Sequence, residues 1–462
     1  MLKLWNTLDR KLEDFKSIKK GEVGLYTCGP TVYNPATIGN LRTYVFEDVL
    51  KRTLLLLGYK VHHVMNITDV GHLVGDGDEG EDKVEREAAK QGKTAWDIAK
   101  MYEGMFDVDM QRLNIIAPVG KDRPHATDYI KQQISLIEKL EEKGYTYRTS
   151  DGIYFDTAKF KGYGKLSGQK LEDKEAGARV EVNEEKKHPA DFALWKFSPE
   201  NAKRQMEWES PWGVGFPGWH VECSAMSEEL LGQPFDIHCG GVDHITVHHE
   251  NEIAQSEAAF DKPLANYWVH GEFLLVDGKR MGKSEGNAYL LDDLIAKGFD
   301  PLAYRFYCLG THYRSKLNFT WEGLEGAQNA LKNLNAIARD IQPSTFVDVP
   351  TAEAFRTALE DDLNTSAGLA VMWEMLKSDS LDPETKGGTL TLMDRVLGLG
   401  LTEMIGKRIV APMGVQMLAA ERKLARESKN WQKSDELRDA IKQKGWLIED
   451  NKDGGYDLQP LS

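Results

Sequence analysis

His248 and Glu252 stand four residues apart in the run His248-His249-Glu250-Asn251-Glu252. On a helix, that spacing places an imidazole and a carboxylate on one face. Such a pair is half of a zinc site, although a merely polar helix face has the same spacing. His249 and Glu250 turn to other faces. A second group is Thr37-Ile38-Gly39-Asn40, downstream of Gly29-Pro30-Thr31-Val32-Tyr33. It falls where an apolar run hands over to a helical pattern. A helix N-terminus there presents free N–H groups and the positive end of its dipole to phosphate. Thr37 and Asn40 add polar side chains that can donate to phosphate oxygens; an ordinary strand-to-helix turn is the plainer alternative. The third group is Gly278-Lys279-Arg280-Met281-Gly282-Lys283-Ser284. A basic, glycine-bearing loop of this kind suits a triphosphate whose charge is moving onto pyrophosphate, and an unremarkable surface loop fits the pattern equally well.

The elements that must position these groups read as alternating α/β. Val23 to Cys28 is a short strand stopped by Gly29-Pro30. Leu41, Val45, Phe46, Val49, Leu50, Leu54 and Leu57 recur at helical spacing from Asn40 to Leu57, with Gly58 just beyond. Val61 to Ile67 is a second strand. This βαβ unit implies a parallel sheet, whose ligands bind beyond the carboxyl ends of the strands; Cys28 and the loop after it lie there. Asp76 to Asp82 reads as an exposed acidic loop whose spacing fails the EF-hand pattern. Thr94 with Asp97 forms a capping box for a helix to about Leu113, and another helix spans Asp128 to Lys143. Tyr145 to Pro211 is mixed, with a polar stretch from Glu172 to Lys187, and reads as an insertion between two halves of the sheet domain. Helices are expected over Trp219–Leu231 and Thr246–Phe260, strands over Phe235–Cys239 and Trp268–Val276. After Asn287 the pattern is almost wholly helical to about Gly400, apart from a linker at Gln342 to Pro350. Helices at Met413–Glu427 and Lys433–Lys444, then a hairpin at Trp446–Leu458, complete the chain.

The 462 residues suffice for two to four domains, and 41% hydrophobic with 28% charged residues is ordinary for a globular protein. No apolar stretch suggests a membrane span or a secretory signal. Cys28, Cys223, Cys239 and Cys308 are too few for a disulfide scaffold, so free thiols in a reducing cytoplasm are expected. A net charge of −15 argues against an indiscriminate nucleic-acid binder. Glu421 to Lys444, with eight basic and five acidic residues, is locally basic; it reads either as a mixed-charge solvated helix or as an RNA contact.

Along essentially its whole length the chain resembles the cysteinyl-tRNA synthetases of the Rossmann-type class. The likeness rests on Tyr26-Thr27-Cys28-Gly29-Pro30-Thr31-Val32-Tyr33, Asn66-Ile67-Thr68-Asp69, Pro217-Gly218-Trp219-His220-Val221-Glu222-Cys223-Ser224-Ala225-Met226 and His248-His249-Glu250-Asn251-Glu252-Ile253-Ala254-Gln255. It also rests on Ala425-Arg426-Glu427-Ser428-Lys429-Asn430-Trp431 and Ser434-Asp435-Glu436-Leu437-Arg438-Asp439. The resemblance implies an α/β fold, a Rossmann-type parallel sheet catalytic domain with an inserted subdomain, then a helical bundle and a small C-terminal tRNA-binding domain. The expected layout is 1–120 and 212–287 for the two catalytic halves, 121–211 for the insertion, 288–345 for a helical stem-contact region, 346–410 for the bundle and 411–462 for the anticodon-binding domain.

The resemblance further implies one zinc ion on Cys28, Cys223, His248 and Glu252, recognising the thiolate of L-cysteine; spacing alone does not pair Cys28 with Cys223. Gly29, Thr31, Gly39, Thr68, Trp219 and His238 are expected around the amino acid and ATP, which enters with Mg²⁺. Thr37 to Asn40 stands in the place of the HIGH signature and Arg280 to Ser284 in that of KMSKS. Both depart from the family pattern: Thr37 and Asn40 replace histidines, Arg280 a lysine and Gly282 a serine. The implied catalytic set is Thr37, Asn40, Arg280 and Lys283, with Lys283 the main cationic stabiliser. The expected partners are tRNA(Cys), L-cysteine and ATP, with neither DNA nor a membrane, and Trp431 is either a base-stacking or a core residue. Rival readings are a ligase joining cysteine to an amino-sugar, an inactive RNA-binding paralogue, and a zinc hydrolase, whose HExxH pair is missing from the sequence.

Overall fold

A computed structural model of the chain describes residues 1–71, 82–169, 184–199, 204–282, 285–407, 410–451 and 455–460. It opens with an antiparallel hairpin, β1 (Lys3–Asn6) and β2 (Lys11–Asp14). These strands are four residues each and mostly polar, too short for a periodicity to show, and the sequence reading has no counterpart for them. Next come β3 (Glu22–Thr27), α1 (Ile38–Leu56) and β4 (Lys60–Met65). The predicted apolar positions of α1 from Leu41 to Leu54 are buried against the sheet. Gly58, at φ +86°, lets the chain reverse into β4 where other residues would be strained.

Helices α2 (Lys83–Gln91) and α3 (Ala95–Arg112) follow. The predicted acidic loop falls on residues outside the described set except for Asp82, which caps α2 through Val84 and Glu85 N–H. The Thr94/Asp97 capping box is present at the start of α3. Helix α4 (Ile130–Glu142) begins after a turn of 3₁₀ helix at Ala126–Tyr129. Strands β5 (Thr146–Arg148), β6 (Gly152–Phe155), β7 (Phe192–Phe197) and β8 (Gly215–Pro217) then form a separate antiparallel sheet in that order.

The parallel sheet resumes with α5 (Trp219–Leu231), β9 (Phe235–Gly241), α6 (His248–Phe260) and β10 (Ala265–Gly271). Its order is β10-β9-β3-β4, every pair parallel. The carboxyl ends of four strands therefore share one edge. Alternate residues pack to opposite faces: Leu25 joins the core with α1 and the later helices, while Tyr26 joins the core with α5 and α6.

The strand expected over Trp268–Val276 is broken in two. After β10 the chain leaves the sheet at Glu272 and Phe273, then forms β11 (Leu274–Val276) and β12 (Lys279–Arg280). Asp277 (φ 49°) and Gly278 (φ +76°) make the two-residue turn between them. Helices α7 (Leu291–Ala296) and α8 (Pro301–Leu309) lead to β13 (Leu317–Phe319), which pairs parallel with β11 and interrupts the expected helical run. Helices α9 (Trp321–Asp340), α10 (Val349–Glu360), α11 (Thr365–Lys377), α12 (Pro383–Leu397) and α13 (Leu401–Met404) complete this region. Pro350, expected in a linker, sits in the first turn of α10, where its missing N–H costs nothing. The last unit is α14 (Met413–Glu427), α15 (Trp431–Gln443), β14 (Trp446–Asp450) and β15 (Tyr456–Pro460) around its own core of Val415, Ala419, Ile441, Trp446 and Ile448. Among the described residues, no helix is long and apolar enough to cross a membrane.

Candidate metal centre and adjoining cleft

Cys28 is the residue immediately after β3, Cys223 lies in the second turn of α5, and His248 and Glu252 lie on the first two turns of α6. Their ligand atoms all fall within 4.8 Å of one another, and all four residues are buried. Glu252 Oε1 is 3.1 Å from His248 Nε2. Two thiols, an imidazole and a carboxylate suit zinc, whose ligand bonds of about 2.0–2.3 Å keep donors within about 4.6 Å of each other. The four residues thus fit the ion that the resemblance implies. Burial pushes the pKa of the Cys28 thiol and of the Glu252 carboxyl well above their usual ranges, disfavouring both ionised forms. A dication would supply the charge that lets both ionise.

The structure adds residues that local spacing passes over. Cys28, His238, His249 and Glu252 also bring their ligand atoms within 4.8 Å of one another. His249 Nε2 lies 3.2 Å from Cys28 Sγ, and His238 Nε2 lies 2.9 Å from Glu252 Oε2. His249 Nδ1 meets His270 Nε2 at 2.8 Å, and His270 Nδ1 meets Thr7 Oγ1 at 2.8 Å. A buried chain of contacts therefore runs from the hairpin at the N-terminus to the Cys28 sulfur. Burial lowers the pKa of His249 and His270 and takes that of His238 to about 3, so all three rings are neutral near pH 7. The expectation that His249 turns to another face is overturned: His249 stands three residues before Glu252, a spacing that keeps the two adjacent on α6, and its Nε2 comes within 3.9 Å of Glu252 Oε1. The available signal was density: His238, His244, His248, His249 and His270 are five of the chain's twelve histidines.

Beside the cluster opens a cleft of about 310 Å³, lined by Cys28, Gly29, Thr31, Thr37, Asn40 and Trp219 among others. Gly29 N–H donates to Asn66 Oδ1 at 2.9 Å, and a Cβ at this position would lie 1.6 Å from Asn66 O, so only glycine fits. Trp219 stacks on His248 with ring centroids 4.4 Å apart. Asp243 and His244 also line the cleft, and the sequence reading did not name them. Thr68 is buried, accepting a hydrogen bond from Asn66 Nδ2 at 3.0 Å. His238, fully buried, lies behind the metal-ligand set and stacks on Trp268 at 4.5 Å.

The two expected phosphate-binding segments lie side by side. Thr37 caps α1: its Oγ1 accepts from Asn40 N–H at 3.3 Å, and its own N–H donates to Asn40 Oδ1 at 3.0 Å. The Thr37 hydroxyl also donates to Asn40 Oδ1, at 2.7 Å. The Thr37 hydroxyl expected to face phosphate is thus engaged by the Asn40 amide oxygen. Gly39 packs against the basic loop, where an added Cβ would lie 2.3 Å from Met281 Cε. Arg280 is exposed, its guanidinium 5.8 Å from the Phe273 ring. Gly282 N–H donates to Asn287 Oδ1 at 2.9 Å. Lys283 and Ser284 lie outside the described residues.

In the C-terminal unit, Trp431 is 56% exposed, which excludes a core role. Arg426 stands 5.5 Å from its ring. Arg422, counted among the basic residues of this tail, is instead buried in a two-point pair with Asp450 at 2.7 and 2.9 Å.

Residues 14–329 match the family described as tRNA synthetases class I (C) catalytic domain, and residues 354–378 match the DALR domain. The protein named Cysteine--tRNA ligase 1 of Burkholderia lata is 50% identical over 98% of this chain and 96% of its own length. This chain belongs to the cysteine--tRNA ligase family of class I synthetases. Other family members give the same picture: Cysteine--tRNA ligase of Treponema denticola is 43% identical over 97% of this chain and 98% of its own, and that of Thermus thermophilus 42% over 98% of each. Among solved structures, Mycobacterium tuberculosis methionyl-tRNA synthetase in complex with methionyl-adenylate aligns with a TM-score of 0.53 and 15% identity, over 83% of this chain and 91% of that one. A ternary complex of Agrobacterium radiobacter LeuRS aligns with a TM-score of 0.56 and 13% identity, over 85% of each chain. These likenesses bear on the fold alone. Membership makes the chain an enzyme that forms aminoacyl-tRNA.

Proposed function

We propose that this enzyme activates L-cysteine with ATP and esterifies the product to tRNA(Cys), reading the substrate by its sulfur. The observation that carries the reading is the convergence of Cys28, Cys223, His248 and Glu252 within 4.8 Å beside an open cleft. A zinc ion held by these four supplies a Lewis-acidic position at which a substrate thiolate is favoured over the harder, less acidic serine hydroxyl. Apolar pockets separate such isosteres weakly. Trp219, half-buried over His248, closes the side of the cleft against a small substrate.

Gly29 and Thr31, on the cleft wall, leave room for the amino-acid backbone. The N-terminus of α1 faces the phosphates of ATP-Mg²⁺, with the N–H groups and the Thr37 and Asn40 side chains as donors. The cysteine carboxylate attacks the α-phosphate in line, and pyrophosphate leaves with its charge stabilised by Arg280 and Lys283. The terminal ribose hydroxyl of tRNA then attacks the activated carbonyl. Exposed Trp431 beside Arg426 suits an unpaired base, a contact worth about 1–3 kcal/mol.

The test is ATP–pyrophosphate exchange by zinc-loaded protein, with cysteine and serine run side by side. Exchange with cysteine alone is expected. Equal exchange with serine would remove the sulfur-reading role, and no exchange with either would favour an inactive RNA-binding paralogue. Removing the chain after Val410 should abolish most aminoacylation while sparing exchange.

A further inference from the structure

Arg42 lies on α1, two residues beyond Asn40, and is only 5% exposed. No carboxylate pairs with it among the described residues. Its guanidinium instead donates to four backbone carbonyls. Nη1 reaches Glu272 O at 2.7 Å and Phe273 O at 2.6 Å. Nη2 reaches Ser315 O at 2.5 Å and His312 O at 3.4 Å. These carbonyls belong to two segments. Glu272 and Phe273 form the break between β10 and β11, and His312 to Ser315 form the turn before β13. Because β11 pairs with both β13 and β12, Arg42 grips the small sheet from which the Arg280 loop projects.

The far side of the same turn is clamped independently. The Asp362 carboxylate accepts from Arg314 Nε at 2.6 Å, Tyr313 Oη at 2.7 Å and Trp5 N–H at 2.9 Å. Downstream of the basic loop, Ile38 N–H donates to Tyr289 O at 2.9 Å. The loop is therefore tied to α1 at both of its ends; upstream, the side-chain hydrogen bonds come from Arg42, beside Phe46 stacked on Tyr313 with centroids 5.0 Å apart.

We infer that Arg42 is a positioning residue for adenylate formation: it sets the distance between the Thr37–Asn40 turn and the Arg280–Gly282 segment without touching a ligand. This rests on the proposed reading of those segments as the two phosphate-binding signatures. Arginine suits the task because its planar fork offers several fixed donors and spans two backbone segments, whereas a lysine ammonium is a point charge that serves one. A displacement near 1 Å between groups that must act together on one triphosphate costs about 10²-fold in rate.

The experiment uses full-length, zinc-loaded Arg42→Ala and Arg42→Lys. In cysteine-dependent exchange, kcat is expected to fall about 100-fold for Arg42→Ala and about tenfold for Arg42→Lys, by the same misplacement argument. Zinc content and the cysteine KM should stay within about twofold of wild type. Transfer from preformed cysteinyl-adenylate to tRNA, measured in a single turnover, should be unchanged. Added guanidinium ion should restore part of the loss in Arg42→Ala and none of that in Lys283→Ala. Wild-type exchange in both variants would overturn the inference; so would adenylation and transfer falling together, or zinc and cysteine affinity falling with kcat. Should Arg42→Ala fail to fold, Arg42→Lys decides by the same split between steps. Failure of the wild-type protein to exchange with cysteine would instead sink the adenylation reading beneath it.

Discussion

The two ends of the cleft are built on opposite plans. At the sulfur end, ligand atoms from three separated stretches of chain already converge within 4.8 Å, every residue is buried, and a further layer of histidines packs behind them. At the phosphate end, Thr37 and Asn40 are partly or fully open to solvent, bond to each other, and face a loop whose Arg280 is exposed. The fold itself brings the four ligand atoms of the sulfur end together in a buried position. On the proposed reading, the phosphate end exchanges the Thr37–Asn40 hydrogen bonds for bonds to phosphate. Selectivity comes from preorganised, water-excluded groups, whereas binding and releasing a large, charged nucleotide calls for groups that can move.

This contrast can be broken or sharpened by experiment. The largest effect belongs to the sulfur end. Cys223→Ser should lose zinc and lower kcat/KM for cysteine about 10³-fold, beyond the roughly 10–100-fold typical of partners one layer out. Metal analysis beside exchange kinetics checks this, and zinc loss with undisturbed cysteine kinetics would dissolve the contrast. Next comes the phosphate end. Lys283→Ala should slow exchange about 10²-fold while leaving the cysteine KM and zinc content in place. A parallel loss of zinc would show that the two ends are not independent.

The third effect tests how deep the sulfur end extends. Thr7→Val removes the outermost partner of the Thr7–His270–His249–Cys28 chain and should weaken zinc binding about tenfold, read by competition with a chelator. Unchanged metal affinity would confine the preassembled end to its four ligands.

The smallest effect belongs to α1, the helix whose N-terminus borders the cleft. Glu47 on α1 is 1% exposed, and neither carboxyl oxygen has a hydrogen-bond partner among the described residues. Burial raises its pKa well above the usual carboxylate range. A group that holds its proton more tightly when folded contributes stability below its unfolded pKa and loses that contribution as pH rises through the folded value. Glu47→Met should therefore raise the unfolding temperature by a few degrees, for about 1–3 kcal/mol of relieved desolvation. The gap should be wider at pH 8 than at pH 5, and a gap that narrows with rising pH would contradict the assignment.

Much of the framework was legible locally. The bounds of α5 and α14 coincide with the apolar patterns that predict them, and the Thr94/Asp97 box caps α3 as its spacing requires. Each of these depends on residues within one or two turns of each other. The β1–β2 hairpin, the antiparallel sheet β5–β8 and the break at Glu272–Phe273 depend on distant partners, and a short run carries no mark of them. Arg42 makes the point most sharply: in the sequence it is one more charge in an amphipathic helix, and its four carbonyl partners lie at least 230 positions away.

By itself the sequence determined the types of the longer elements, the parallel βαβ core and, through several ordered motifs, the family and its candidate ligands. Those properties follow from periodicity and local chemistry, which the chain carries wherever it goes. Tertiary structure alone decided that Cys28 meets Cys223, that His249 turns to Cys28 rather than away, that Thr37 and Asn40 bond to each other, and that Trp431 is exposed while Arg422 is buried. A side chain's neighbours across a packed interface are fixed by how whole elements dock, and local spacing reports only which face of its own element each residue occupies.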